Sequence, residues 1–227
     1  MIRFENISLR TQDHLILDSI SLEITRGNKA VFFGPSGSGK TTILMCLIGG
    51  AVPTAGTVLF DGEPLTARTL PHLRKTMAFI GQEPVLGATG VREALMLPFS
   101  FRANRARTPS EEQIRHVLKS LLLPPDILEK QTSVISGGEK QRLALARALL
   151  LEKTVFVLDE VTSALDPRSR RAVLTLFRQP DLTLISVSHD PEWLALCTRF
   201  FKVEKGRVTT QNTAPVFQEE AHEKEGI

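Results

Sequence analysis

The run Gly34-Pro35-Ser36-Gly37-Ser38-Gly39-Lys40-Thr41-Thr42 sets a glycine, four intervening residues and then Gly-Lys-Thr, the spacing that lets a loop close around a phosphate. Glycines allow successive backbone N–H groups to turn inward toward phosphate oxygens, Lys40 adds a point charge, and the Thr41 hydroxyl can ligate Mg²⁺. A helix from Lys40 to about Ile48 would aim the positive end of its dipole at the same anion. A second element, Val155-Phe156-Val157-Leu158-Asp159-Glu160, ends an apolar run in two carboxylates. Ligands of open α/β sheets bind at the carboxyl ends of strands. Asp159 is therefore expected to hold Mg²⁺, and Glu160 to polarise a water that attacks the terminal phosphate.

These residues need a scaffold that brings them to one edge. Ile2 to Leu9 and Leu15 to Ile24 alternate apolar and polar residues, as half-buried strands do; Ala30 to Phe33, Met77 to Ile80, Thr154 to Leu158 and Leu182 to Val187 are short apolar runs that read as buried strands. With helical patterns beside them, the buried runs predict a mostly parallel sheet flanked by helices. Asp61-Gly62, after the Thr57 to Phe60 run, predicts a hairpin turn, so an antiparallel β piece is attached near the start.

From about Glu83 to Leu151 the strand signals stop. Thr108-Pro109-Ser110-Glu111 predicts a helix over 109–122 capped by Thr108, with Pro124-Pro125 ending it. Asp166-Pro167 and Asp190-Pro191 predict two further capped helix starts, each just after a strand. Glu204 to Val208 reads as a closing turn and strand, and 209–227 as a frayed polar tail. The expected fold class is α/β in a single domain. Residues 1–82 and 152–208 would form the core with its N-terminal antiparallel β subdomain, and 83–151 an inserted α-helical subdomain.

Composition narrows the setting. Lys and Arg number 28 against 25 Asp and Glu, a net charge of +3, and 42% of the 227 residues are hydrophobic. That balance fits a globular protein and is less basic than a nucleic-acid specialist usually is. Cys46 and Cys197 are far apart and lack the paired spacing of a zinc site or redox dithiol, so reduced buried thiols are expected. Glu5 lies where a secretory leader would be apolar, and Arg147 interrupts the longest apolar run, near Leu143 to Leu151. A cytoplasmic chain with no direct membrane insertion is expected.

Ile135-Ser136-Gly137-Gly138-Glu139-Lys140-Gln141-Arg142 completes a resemblance to the ATP-binding cassette (ABC) family that runs from about Ile2 to Val208. Ser136, Gly137 and Gly138 expose backbone donors at the start of a helix running to about Leu150. The resemblance implies a P-loop NTPase core in which this signature loop caps the γ-phosphate of ATP held by a second cassette, so that two chains sandwich two MgATP. It further implies that Gln82 senses Mg²⁺ and the attacking water and links the site to the helical insertion. By the same likeness, Ser163-Ala164-Leu165-Asp166 communicates between the two sites, and His189 contacts the γ-phosphate. The implied activity is ATP hydrolysis coupled to transport, with the cassette peripheral on the cytoplasmic face of the membrane and docked on a separate permease. Gly87 to Phe99 and Leu123 to Ser136 look like small bacterial cassettes assigned to metal, especially iron, export.

Two positions depart from the family pattern. Thr11 stands where most cassettes place an aromatic residue that stacks on adenine, and the chain has no Tyr. Weak adenine discrimination is expected unless His14 or Phe4 substitutes. Glu139 replaces the usual Gln and is expected to leave the three backbone donors of the loop intact. Two other functional classes stand beside the transporter reading. A soluble cassette ATPase acting on nucleic acid or the ribosome usually carries a second cassette or a coiled-coil or zinc insertion; a non-catalytic module would not need Lys40, Asp159, Glu160 and His189 together. Arg102, Arg105 and Arg107 could grip phosphate, against which stands a solvated or lipid-facing loop.

Overall fold

The computed structural model describes residues 1–215. In chain order the strands are β1 (Ile2–Arg10), β2 (Leu15–Ile24), β3 (Lys29–Phe33), β4 (Ala55–Phe60), β5 (Glu63–Pro64), β6 (Met77–Ile80), β7 (Val155–Asp159), β8 (Thr183–Val187), β9 (Arg199–Glu204) and β10 (Arg207–Gln211). The helices are α1 (Lys40–Ile48), α2 (Leu70–Thr76), α3 (Val91–Ser100), α4 (Glu111–Ser120), α5 (Gly137–Leu150), α6 (Pro167–Phe177) and α7 (Pro191–Leu194).

Two sheets result. The antiparallel one has the order β2-β1-β4-β5, and its last pair turns through Asp61 and Gly62, both with positive φ as a tight hairpin requires. The other has the order β10-β9-β3-β8-β7-β6, parallel from β9 to β6, with β10 antiparallel at its edge. Strands β3, β7 and β8 are buried at every position, which is why their sequences are continuous apolar runs rather than alternating ones. Their two faces still separate. Ala30, Phe32, Val155, Val157 and Ile185 pack with Ile7, Leu17 and Ile43 toward the antiparallel sheet and α1. Val31, Phe33, Phe156, Leu158 and Leu184 pack with Leu95, Leu143, Val173 and Trp193 on the other side. Phe156, Phe177 and Trp193 meet edge to face at centroid separations of 5.1 and 5.6 Å, each ring contributing roughly 1.5–3 kcal/mol through burial.

The stretch between β6 and β7 holds α3, α4 and α5. Arg147 of α5 is sunk between them, its Nη1 donating to Leu86 O at 2.9 Å and Ala94 O at 3.3 Å. The cap of α4 is Ser110 rather than Thr108: Ser110 Oγ accepts from Gln113 N at 3.2 Å and Gln113 Oε1 accepts from Ser110 N at 2.8 Å. A reciprocal box needs Glu or Gln three residues on, and Gln113 supplies it two positions later than the pattern Thr108-Pro109-Ser110-Glu111 suggested. The helix also stops at Ser120, ahead of the proline pair, with Leu122 at φ 54°. Asp166 and Asp190 do cap their helices, accepting from Ser169 N at 3.0 Å and Glu192 N at 3.0 Å. The expected tail starts too early, because Thr209, Thr210 and Gln211 pair with β9. Its 216–227 part lies outside the described residues.

Candidate active site

Strand β3 ends at Phe33 and the chain turns through 34–39 into α1. Gly34 has φ 141°, and a Cβ there would sit 2.0 Å from the Val203 carbonyl oxygen, so only glycine lets the loop leave the sheet this close to β9. The cap of α1 is Gly39, which has no side chain to engage the first-turn N–H groups, and no acidic residue occupies that turn. Those donors face whatever anion the loop wraps. Ser38 O accepts from Gly206 N at 3.2 Å, which ties the loop to the β9–β10 hairpin.

Lys40 is buried, and its Nζ donates to Gly34 O at 2.9 Å and Pro35 O at 2.8 Å, holding the loop closed on itself. Burial pushes the ammonium pKa down, opposed by Glu160 and then Asp159. Thr41 Oγ1 donates to Asp159 Oδ2 at 2.9 Å, joining the start of α1 to the end of β7. Asp159 is only 6% exposed, and burial raises its pKa against the Thr41 hydrogen bond. A buried carboxylate short of positive charge beside a hydroxyl fits a hard divalent cation that keeps waters and substrate oxygens as its other ligands, as Mg²⁺ does. Among the described residues, no group of three or more His, Cys, Asp or Glu forms a fuller cage.

Glu160 follows in the left-handed region, φ 49°, a conformation that costs a side-chain-bearing residue roughly 1–2 kcal/mol. Three hydrogen bonds fix it there: Glu160 N donates to Val187 O at 3.0 Å, and Glu160 O accepts from Ser163 N at 3.1 Å and Ser163 Oγ at 2.8 Å. The turn swings the carboxyl toward Gln82, whose Nε2 donates to Oε2 at 3.3 Å. His189 closes the same cleft with Thr162 and Ser188. Desolvation first and Lys40 second hold its imidazole below the usual range, with Glu160 pulling the other way. The phosphate loop, Asp159, Glu160, Gln82 and His189 thus converge at the carboxyl ends of β3, β6, β7 and β8.

Ser136–Gly138 has different neighbours. A Cβ on Gly138 would lie 2.7 Å from Ala164 O, so the signature loop abuts the Ser163–Asp166 segment. Asp166 spends its carboxylate on the α6 cap, accepting from Arg168 N at 2.9 Å as well as from Ser169 N. The loop's own N–H groups are not all available. Glu139 Oε2 accepts from Ser136 N at 2.8 Å while Ser136 Oγ accepts from Glu139 N at 3.2 Å. The expectation that Glu139 leaves three donors intact is corrected: a glutamate at the third helical position reaches back as a capping box and occupies one.

Phe4 is corrected as well. It is 1% exposed inside the core under the antiparallel sheet and cannot stack on a base. Thr11 and His14 sit on an exposed turn closed by Thr11 N donating to His14 O at 2.9 Å. Sequence reasoning also missed Gln141, a buried residue of α5 whose Nε2 donates to Gly81 O at 3.2 Å and so anchors the segment carrying Gln82. Its only sequence signal is a polar residue on the apolar side of a helix.

A phosphate loop between a buried parallel strand and a helix, with an acidic pair ending a strand of the same sheet, defines a P-loop nucleotide-binding protein. The sequence pattern of the ABC transporter family matches residues 17–163, and the chain belongs to that family. It is 35% identical over 204 residues to a peptide-import ATP-binding protein of Brucella ovis, covering 85% of this chain but only 64% of that relative's length. FetA of Escherichia coli (strain K12), named for iron export, is 32% identical over 196 residues, covering 85% of this chain and 86% of FetA. The solved ATP-binding cassette MJ0796, a dimer in a post-hydrolysis state bound to ADP and Pi, superposes with a TM-score of 0.80 at 25% identity, covering 96% of this chain and 100% of that one.

Proposed function

We propose that the chain is the ATP-hydrolysing subunit of an ABC transporter, working as two copies on a separate membrane-spanning permease. The observation that carries this reading is Glu160, held in a strained backbone conformation with its carboxylate against Gln82 at the edge that also presents Lys40 and Asp159. In the proposed reaction the loop N–H groups and Lys40 grip the β- and γ-phosphates. Mg²⁺ held by Thr41 and Asp159 would supply charge neutralisation on those phosphates. Glu160 orients a water in line with the γ-phosphorus and takes its proton; the bond from that phosphorus to the β,γ-bridging oxygen breaks, and ADP and phosphate leave. His189, neutral at pH 7, donates to a γ-phosphate oxygen. Most of the rate enhancement is positioning and fixed charge.

A second copy completes the site by bringing its Ser136, Gly137 and Gly138 to the γ-phosphate, a reading supported by the dimeric state of MJ0796. The permease docks beside Gln82, along a groove lined by Phe79, Val85, Leu97 and Ala148, with Val85 84% exposed. Force applied there reaches Gln82, and through it Glu160. No helix among the described residues is long and apolar enough to cross a membrane, and the proposed place of the cassette is peripheral, on the cytoplasmic face. Iron export is the proposed cargo, supported by the likeness to FetA over 86% of FetA's length.

Affinity capture of the tagged chain from detergent-solubilised host membranes tests the assembly. A multi-spanning protein in stoichiometric amount is the expected result; ribosomal or nucleic-acid material without a membrane protein overturns it.

A further inference from the structure

We propose that the segment 101–107, between α3 and α4, is a membrane-surface contact whose Phe101, Arg102, Arg105 and Arg107 engage the anionic headgroups of phospholipids. The proposal rests on the permease reading only in that docking brings this segment to the bilayer.

No carboxylate occurs between Glu93 and Glu111, while Arg102, Arg105 and Arg107 fall within that stretch. All three are exposed, and none has a carboxylate within ion-pair distance among the described residues. Arg92, on the same helix–loop unit, is paired with Glu111 at 2.6 Å and Glu129 at 3.9 Å. Arg107 lines a cleft that also holds Glu112 and Glu152, yet forms an ion pair with neither. Beside them Phe101 is 60% exposed, an apolar ring at the foot of a cationic tip.

The tip is ordered. Asn104 Nδ2 donates to Pro98 O at 3.0 Å, Arg105 N to Phe101 O at 3.1 Å, Arg107 N to Asn104 O at 2.8 Å and Thr108 Oγ1 to Arg105 O at 2.8 Å. A preformed turn loses little backbone entropy on binding. The positive field extends beyond it, since Arg107 adds to burial in lowering the pKa of Lys153, whose Nζ donates to Arg74 O and Lys75 O. Like charges kept together are stabilised by an anionic surface.

Guanidinium groups bind phosphate oxygens bidentately, and an aromatic ring beside them suits the headgroup–acyl boundary. Phe101 and Asn104 line the outer part of the groove proposed for the permease, so on that reading the polyanion next to the tip is the lipid around the permease rather than a nucleic acid. Each arginine near an anionic membrane strengthens binding about fivefold, so the three together contribute about 100-fold.

The test is co-sedimentation of the full chain with mixed phosphatidylcholine–phosphatidylglycerol vesicles and with pure phosphatidylcholine vesicles, in low and high salt, with a single-stranded RNA as competitor. Partitioning only to the anionic vesicles, weakened by salt and lowered about 100-fold in the R102Q/R105Q/R107Q variant, is the expected result. Phe101→Ser should lower partitioning further, and a thermal melt by circular dichroism checks that each variant is folded. Equal binding to both vesicle types, or partitioning unchanged in the triple variant, overturns the proposal, as does RNA binding in place of vesicle binding. ATP hydrolysis measured on the same samples separates the two readings. Intact turnover without vesicle binding removes the lipid surface alone, whereas arginine-dependent vesicle binding without turnover keeps the surface and removes the proposed reaction.

Discussion

Gln82 and Glu160, 78 positions apart, meet at 3.3 Å, the amide nitrogen donating to the carboxylate. They lie just beyond the ends of neighbouring parallel strands, where Ile80 pairs with Leu158. One member continues into the segment that leads to the helical insertion; the other follows the buried Asp159. The 3.3 Å contact thus links that segment to the carboxylate beside the phosphate loop.

Removing the charge but not the shape of Glu160 should separate binding from chemistry. In Glu160→Gln, phosphate release falls by about 10²–10⁴-fold while nucleotide still binds. Lys40→Ala loses both, because the loop loses its internal hydrogen bonds as well as a point charge. Single-turnover phosphate release and equilibrium nucleotide binding read the two effects. Near-normal hydrolysis by Glu160→Gln would falsify its assignment as the base.

Glu139→Gln should strengthen ATP-dependent pairing of two chains. The amide can keep the box with Ser136 while removing a negative charge from the helix start that meets the incoming γ-phosphate. An exposed like-charge contact costs about 1 kcal/mol and the symmetric pair carries two, so in a Glu160→Gln background the dimerisation constant rises about 30-fold, with a smaller gain at high salt. Sedimentation equilibrium checks this, and unchanged or weaker pairing rejects it. The same carboxyl predicts a pH effect. The Ser136 N–H holds it below the usual carboxylate range, so its contribution to folding is complete above the unfolded value of about 4.3 and fades as pH falls through the lower folded value. Melting curves of wild type and variant should keep a constant offset near neutrality, with the wild type losing ground only in acid.

Base selectivity should be weak. Phe4 is buried and Thr11 lies on an exposed turn, so an aromatic stacking contribution of about 1–3 kcal/mol is missing. Comparable kcat/KM for ATP and GTP is expected, and Thr11→Tyr should raise nucleotide affinity by about 5- to 150-fold. A strong preference for ATP that disappears in His14→Ala would assign the stacking to that histidine instead.

Much of the site is legible because its chemistry is local. Gly34 to Thr42 must be contiguous for N–H groups to wrap one phosphate, the strand before it must be apolar to be buried on both faces, and Asp166 and Asp190 must sit beside the N–H groups they cap. The structure decided what depends on residues distant in sequence. Phe4 shares the apolar face of its alternating strand with Ile2, so its burial was legible, and the structure adds that this face belongs to the core that also holds α1. The cap of α4 is a different case, because Thr108–Glu111 and Ser110–Gln113 are both local three-residue patterns and the structure selects the second. Gln141 on an apolar face has no local explanation until Gly81 arrives beside it from the end of β6. Sequence by itself determined the phosphate loop, the acidic pair and the α/β class, because those rest on short-range backbone and charge rules. Tertiary structure decided where Gln82 points and what Gln141 anchors, because each depends on elements far apart in sequence that burial of the core brings together.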